Sequence, residues 1–158
     1  MATLKNIHGN ISACLDAIAF TEGTDNNRQP TKNRGYDVLV GGALFSDYST
    51  HPNILVKLSP TLSSTAAGRY QILARYWPHY RDLLGLPDFG PESQDRYAIQ
   101  QLKERRAYDL LIAGQFDAAI ARINTIWASL PGSPYGQHTY RLWETKSIYI
   151  MNGGTYAD

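Results

Sequence analysis

Glu22 is the residue of this chain best placed to do chemistry. It lies in the run Phe20-Thr21-Glu22-Gly23-Thr24-Asp25-Asn26, where an apolar helical pattern gives way to a polar, glycine-containing loop. Ile7, Ile11, Cys14, Leu15, Ile18 and Ala19 recur at three-to-four spacing and put Glu22 on the buried stripe of a helix, one turn past Ile18 and Ala19. Desolvation there disfavours the carboxylate anion, and the negative end of the helix dipole acts in the same direction, so the protonated form persists toward neutral pH. A general acid needs that state. A second reading makes Glu22 the last exposed residue of the helix, closed by Gly23 in the left-handed conformation. Periodicity alone leaves both readings open.

The next informative segment is Ser64-Thr65-Ala66-Ala67-Gly68-Arg69-Tyr70-Gln71. At a helix start, a glycine followed by Arg, Tyr and Gln offers close backbone approach, a phenol face and an amide that can hydrogen-bond the N-acetyl or hydroxyl group of a sugar. The same residues fit a plain helix N-terminus with Tyr70 in the core and Gln71 in solvent. A third loop, Ser133-Pro134-Tyr135-Gly136-Gln137, follows Trp127-Ala128-Ser129-Leu130-Pro131-Gly132. His8, His51, His79 and His138 have no ligand-like spacing to one another or to Cys14, so no metal site is expected. Trp77, Trp127 and Trp143 sit in helical patterns and read as core. Asp25 and Asp47 read first as turn caps.

The elements that must position these groups run from loops and short strands to helices. Residues 23 to 34 form a polar loop with Pro30 and adjacent asparagines. Tyr36 to Val40 and Ala43 to Phe45, separated by Gly41-Gly42, predict a hairpin, and Ile54 to Leu58 a further short strand ended by Ser59-Pro60. A helix is expected from Ala67 to Tyr76, broken near Pro78 and followed by a short turn of helix to Leu84. Pro91, with Glu92 and Asp95 in the first turn, opens a long helix through Ala98, Leu102, Ala107, Leu110 and Leu111 to Gly114. Helical stretches follow at Phe116 to Leu130 and His138 to Asn152, the last closed by Gly153-Gly154. The expected architecture is a helix-rich α+β domain, one domain over 1–158, with a small antiparallel sheet forming one wall of a cleft.

Composition narrows the function. The 158 residues are 43 % hydrophobic, enough to bury a core, and the formal net charge of +1 gives no field that favours nucleic acid or an anionic membrane. The single Cys14, on the apolar stripe, excludes a disulfide framework. No run of about 18 apolar residues suggests a membrane span, and no secretory signal is legible, so synthesis in the cytoplasm is expected.

Taken together, the Glu22 run, Tyr36-Asp37, Gly68 to Gln71 and Tyr135-Gly136-Gln137 resemble the lambda-type phage endolysins, lysozyme-like lytic transglycosylases of bacterial peptidoglycan. The resemblance runs from about Leu15 to Gln137. It implies that Glu22 is the catalytic acid, that Gly68, Arg69, Tyr70 and Gln71 match a Gly-x-x-Gln cleft segment, and that Tyr135 and Gln137 belong to a third cleft loop. Asp37 is implied to help hold the sugar chain, although a hairpin-flanking Asp that caps its own turn fits as well. Ala66-Ala67 stand where the family has a small glycine-rich run, and residues 138 to 158 match no motif.

The implied reaction needs one carboxyl group and no cofactor. Glu22 gives its proton to the glycosidic oxygen between N-acetylmuramic acid and N-acetylglucosamine, then takes the proton of the muramyl C6 hydroxyl as that oxygen attacks C1, leaving a 1,6-anhydro sugar. The implied partner is the peptidoglycan glycan strand. The protein is expected to be monomeric and to reach the periplasmic wall through a separate pore-forming lysis protein, without inserting in the membrane itself. Two alternatives stand beside this one. A water-using muramidase would pair Glu22 with Asp37, or with Asp25 or Asp47, about 5 Å apart if retaining or about 6.5 to 9.5 Å apart if inverting. A wall-binding domain without activity would use the same fold and leave Glu22 dispensable.

Overall fold

The computed structural model describes residues 1–135 and 138–157. Helix α1 (Gly9–Thr21) is buried on nearly every side, with Ile11, Ala13, Cys14, Leu15, Ala17, Ile18 and Ala19 all at 0 % exposure. It is therefore a central helix rather than a surface helix with one apolar stripe. Burial, with Asp16 nearby, pushes the Cys14 thiol up to about 12, which leaves it an inert core residue.

α1 ends in a Schellman-type cap. Gly23, at φ +78°, donates to Phe20 O, and the Thr24 N–H donates to Ala19 O. Both features expected of the helix end thus coexist: Gly23 closes the helix, and Glu22, the capping residue, is half-buried rather than exposed.

The sheet consists of β1 (Val56–Ser59) and β2 (Leu62–Ser64), paired antiparallel with Val56 opposite Ser64 and Ser59 opposite Leu62. It projects from the core, leaving Leu58 and Leu62 exposed. The hairpin expected at 36–45 is shorter than two strands. Val38 and Leu44 form one antiparallel bridge across Gly41 and Gly42, both at positive φ.

The helix expected from Ala67 to Tyr76 does not form. Residues 66–72 pair instead with the 38–40 segment: Val40 N–H donates to Ala66 O, Gly68 N–H to Val38 O, and Ala67 and Ile72 exchange two backbone bonds. Gly68 (φ +82°) and Gln71 (φ +52°) lie in the left-handed region, which no helix tolerates in its interior. Helix α2 (Trp77–Leu84) begins only after this loop and takes Pro78 in its first turn, where a missing N–H costs nothing.

The single helix expected from Pro91 to Gly114 is two, α3 (Pro91–Glu104) and α4 (Tyr108–Ile112), with Arg106 at φ +59° between them. Leu102, Ala107 and Leu111 are all fully buried, but the step of five from Leu102 to Ala107 leaves the face of one continuous helix. The break lets all three reach the core. Helix α5 (Phe116–Ile123) stops well before Leu130, and α6 (Leu142–Met151) packs against α1, with Tyr149 stacked on Phe116 at 4.3 Å. Trp77 and Trp127 are core residues as expected, whereas Trp143 is 64 % exposed because α6 buries only Thr145 and Tyr149.

Gly68 offers a direct check on the loop that replaces the expected helix. A Cβ there would overlap the Gln94 amide, whose Oε1 accepts the Arg69 N–H at 2.9 Å while its Nε2 donates to Tyr36 O and Phe89 O. Gln94 is fully buried and cannot step aside. Gly68→Ala should therefore lose about 2–4 kcal/mol of stability, from left-handed strain and the displaced amide together, read as a lowered urea midpoint at unchanged slope.

Candidate active site

Beside the end of α1 lies a cavity of about 980 Å³ lined by Glu22, Val40, the β1–β2 hairpin, Thr65, Ala66, Gln71 and Ala128, among others. A second cavity, of about 680 Å³, shares Gln71, Leu73, Arg75, Ile126 and Ala128 with the first and extends to Tyr80, Tyr97 and Tyr135. Glu22 is the one carboxylate lining either cavity among the described residues.

Desolvation dominates the electrostatics of Glu22 and pushes its carboxyl up to about 7, against an opposing hydrogen bond with Ser129. Ser129 is buried, and its Oγ lies 3.1 Å from Thr21 Oγ1, whose hydroxyl donates to Ile18 O at 3.1 Å. A serine hydroxyl has one proton. With Glu22 protonated, Ser129 can donate to Thr21 and accept from the acid; with Glu22 ionised, it turns that proton to the carboxylate. A side chain from the turn after α5 thus supports either charge state of the acid. Nothing in the spacing of Ser129 within the 127–132 run marks it for this.

Two docking bonds bring these segments together. Trp127 Nε1 donates to Tyr70 O at 3.0 Å, tying the 127–130 turn to the 68–71 loop. Thr24 Oγ1, within 2.6 Å of Arg69 O, ties the end of α1 to the same loop. Arg69 itself is 1 % exposed. Its guanidinium donates to Asp16 Oδ1 at 2.8 Å, Asp25 Oδ2 at 3.2 Å, Arg34 O at 3.0 Å and Tyr70 Oη at 3.0 Å. It is a bracket behind the cleft wall and does not line either cavity.

The residues singled out from sequence divide into those that face the cavities and those that build their walls. Gln71 borders both cavities, with its amide held by Gly68 O at 2.9 Å and Val38 O at 3.2 Å. Tyr135 is 56 % exposed and borders the second. Tyr70 also touches the second cavity, but its ring is 1 % exposed and its hydroxyl donates to Asp95, so it stands in the core. Gly68 makes the turn behind the wall. Gln137 lies outside the described residues.

Asp37 is 4 % exposed and borders neither cavity. Its carboxylate accepts from Thr31 Oγ1 and from the Lys32 N–H at 3.0 Å, which pins the 23–34 loop to the Gly41-Gly42 turn segment. Asp25 is paired with Arg69, and Asp47 is exposed and accepts from the Ser49 N–H at 2.8 Å, a turn cap.

The family model for the endolysins matches residues 12–156. The chain is 52 % identical over 155 residues to the endolysin of Escherichia phage lambda, covering 98 % of both proteins. It is 48 % identical over 162 residues to the endolysin of Escherichia phage P2, covering 96 % of this chain and 98 % of that one. The structure of bacteriophage lambda lysozyme complexed with a chitohexasaccharide superposes with a TM-score of 0.94 at 51 % identity, over 98 % of this chain and 100 % of that one. A second structure of lysozyme from bacteriophage lambda gives 0.91 at 49 % identity, with coverage of 98 % and 100 %. Sequence and fold agree, and this chain belongs to the endolysin family, on an α+β lysozyme-like fold.

Proposed function

We propose that this endolysin cuts the glycan strand of bacterial peptidoglycan between N-acetylmuramic acid and N-acetylglucosamine, with Glu22 as its one acid–base group and a 1,6-anhydromuramic end as product. The observation that carries this reading is the solitary carboxylate: Glu22 lines the cavity, and no other Asp or Glu among the described residues lines it or its neighbour. In most glycoside hydrolase families, of either stereochemistry, a second carboxylate acts as nucleophile or as base for water. Of the partners such an enzyme could use, Asp37 is buried and committed to Thr31 and Lys32, Asp25 is paired with Arg69, and Asp47 caps an exposed turn. An intramolecular attack by the muramyl C6 hydroxyl needs no such partner.

The geometry supports the following roles. Glu22, kept protonated toward neutrality by its burial, gives its proton to the leaving glycosidic oxygen as positive charge builds at C1. The resulting anion is stabilised by the Ser129 hydroxyl and takes the proton of the C6 hydroxyl as that oxygen closes on C1. One group thus performs both transfers and returns to its starting state. Gln71, which borders both cavities, orients the sugars, where positioning accounts for several kcal/mol of barrier, roughly, and Tyr135 on the neighbouring cavity contacts the strand beside them. A glycan as substrate is supported by the chitohexasaccharide held by the lambda lysozyme. We further read residues 1–158 as one domain, acting as a monomer on the wall and reaching it through a separate pore-forming protein.

Glu22→Gln tests the acid. Its activity on purified peptidoglycan should fall at least about 10³-fold, since the amide can neither give nor take the proton. Retained activity would overturn the assignment. Stability gives an independent reading. The raised carboxyl pKa means that the stability Glu22 contributes is full below its ordinary value of 4.5 and is lost as pH rises through about 7. Glu22→Gln, neutral throughout, should be more stable than the parent by about 1–3 kcal/mol near pH 8 and not near pH 4, read by denaturant unfolding.

The pH profile should follow the same group. kcat/KM is expected to decline above about pH 7 as Glu22 ionises in the free enzyme. Because Ser129 favours the anion, Ser129→Ala should move that decline to higher pH and lower kcat. A profile unmoved by the change would separate Ser129 from the acid. Mass spectrometry of the products decides between the chemistries: anhydro ends are lighter by one water than the reducing ends that a hydrolase leaves.

A further inference from the structure

We propose that the second cavity binds the carboxylate-bearing peptide branch of the same glycan strand whose sugars occupy the Glu22 cavity. This rests on the wall-glycan reading above. The second cavity encloses about 680 Å³, and no Asp or Glu lines it among the described residues. Two guanidinium groups do, those of Arg75 and Arg105, both on exposed residues and neither paired with a carboxylate among the described residues. Arg75 lies over the Tyr76 ring at 4.8 Å and donates to its hydroxyl at 3.1 Å, which fixes its direction at little further entropic cost. The nearby Glu104 carboxylate is occupied by Tyr80 Oη at 2.7 Å and Gln100 Nε2 at 2.9 Å and does not line the cavity.

Cations without counter-ions beside phenols and the Gln101 amide make a lining rich in donors and poor in acceptors other than hydroxyl and amide oxygens. Neutral sugars supply donors and acceptors about equally and leave the charge of two guanidinium groups unmatched. A peptide branch that ends in carboxylates and exposes peptide carbonyls matches the lining in charge and in polarity.

Placement gives the second reason. The two cavities share Gln71, Leu73, Arg75, Ile126 and Ala128, so a branch attached to a sugar in the first enters the second without leaving the protein surface. Four extended residues span about 14 Å, enough to cross such a border. A tethered branch is presented at an effective concentration on the order of millimolar, so contacts too weak to hold the free peptide still contribute to binding of the strand.

Arg105 borders the second cavity and not the first, which makes it the probe. Cleavage is measured on matched glycan strands, one carrying its peptide stems and one from which an amidase has removed them. On the stem-bearing strand, Arg105→Gln should raise KM about 3-fold and Arg105→Glu about 10-fold with kcat unchanged, Arg105→Lys should stay near the parent, and the effect should shrink at high salt. On the stem-free strand, which keeps only the short lactyl carboxylate that the amidase leaves on the sugar in the first cavity, all three should match the parent. Equal losses on both strands, or no loss on either, would overturn the proposal. Retention of the Glu22→Gln protein on the same two strands, with and without Arg105→Glu, reads binding without cleavage. If the parent cuts neither strand while retention still depends on the stems and on Arg105, the glycan-cutting reading falls and the stem site stands.

Discussion

The buried guanidinium of Arg69 is the interaction on which the cleft depends. A cation at 1 % exposure is tolerable only if its donors are satisfied, and here they reach Asp16 on α1, Asp25 on the loop beyond it, the Arg34 carbonyl and the Tyr70 hydroxyl. Each partner belongs to a segment that has no regular secondary structure in common with the others. Behind Arg69, the Asp95 carboxylate of α3 accepts from Tyr36 at 2.7 Å, from Tyr70, and from the Thr3 and Leu4 backbone at 2.7 and 2.9 Å. Burial, with Asp95 adding to it, pushes the Tyr36 phenol up to about 12, so the hydroxyls remain donors. A network this fully paired has one low-energy geometry, because every rearrangement leaves a buried group without a partner. The 66–72 loop consequently holds its left-handed residues without the support of a helix or strand.

Glu22 shows the complementary principle. The fold keeps an acid where its anion is poorly solvated, and the cost of ionising it is the same free energy that holds the proton on the carboxyl toward neutral pH. α1 can carry such a residue because it is central: its side chains are packed all round and the Schellman turn at Gly23 sends the chain sharply away, so that Glu22 faces the cavity. Ser129 moderates the cost by supplying a hydroxyl that serves either protonation state. Stability and chemistry meet in one carboxyl group, and strengthening one weakens the other.

Legibility from sequence followed the range of the deciding interactions. α1 and its glycine cap were readable because i to i+4 periodicity and a C-terminal Gly are local signals, and the capping residue Glu22 was readable with them. The 67–76 segment reads as helix because its composition permits one, while the bonds that win go to Val38 and Val40, almost thirty residues away. The break at Arg106 is hidden in the sequence for a like reason: both halves are good helix formers, and only the need of Leu102, Ala107 and Leu111 to share one core separates them. Ser129 carried no signal, since a serine in a turn is ordinary until α1 is known to lie against it. Asp37 carried an ambiguous one, and its burial against Thr31 and Lys32 places it in the loop scaffold.

Local patterns along the chain carry the helix-rich α+β character, the acid at the end of the first helix and, through the motifs, the kinship with the endolysins. Packing alone sets the surroundings of that acid: a cleft wall with no other carboxylate among the described residues, a hydroxyl partner from the turn after α5, and a second cavity with two guanidinium groups along its border. The physical reason is the distance over which each is specified. Helix ends and turns are set by neighbours within a few residues, whereas desolvation and charge at a site are sums over groups brought together by packing, and no stretch of chain contains them.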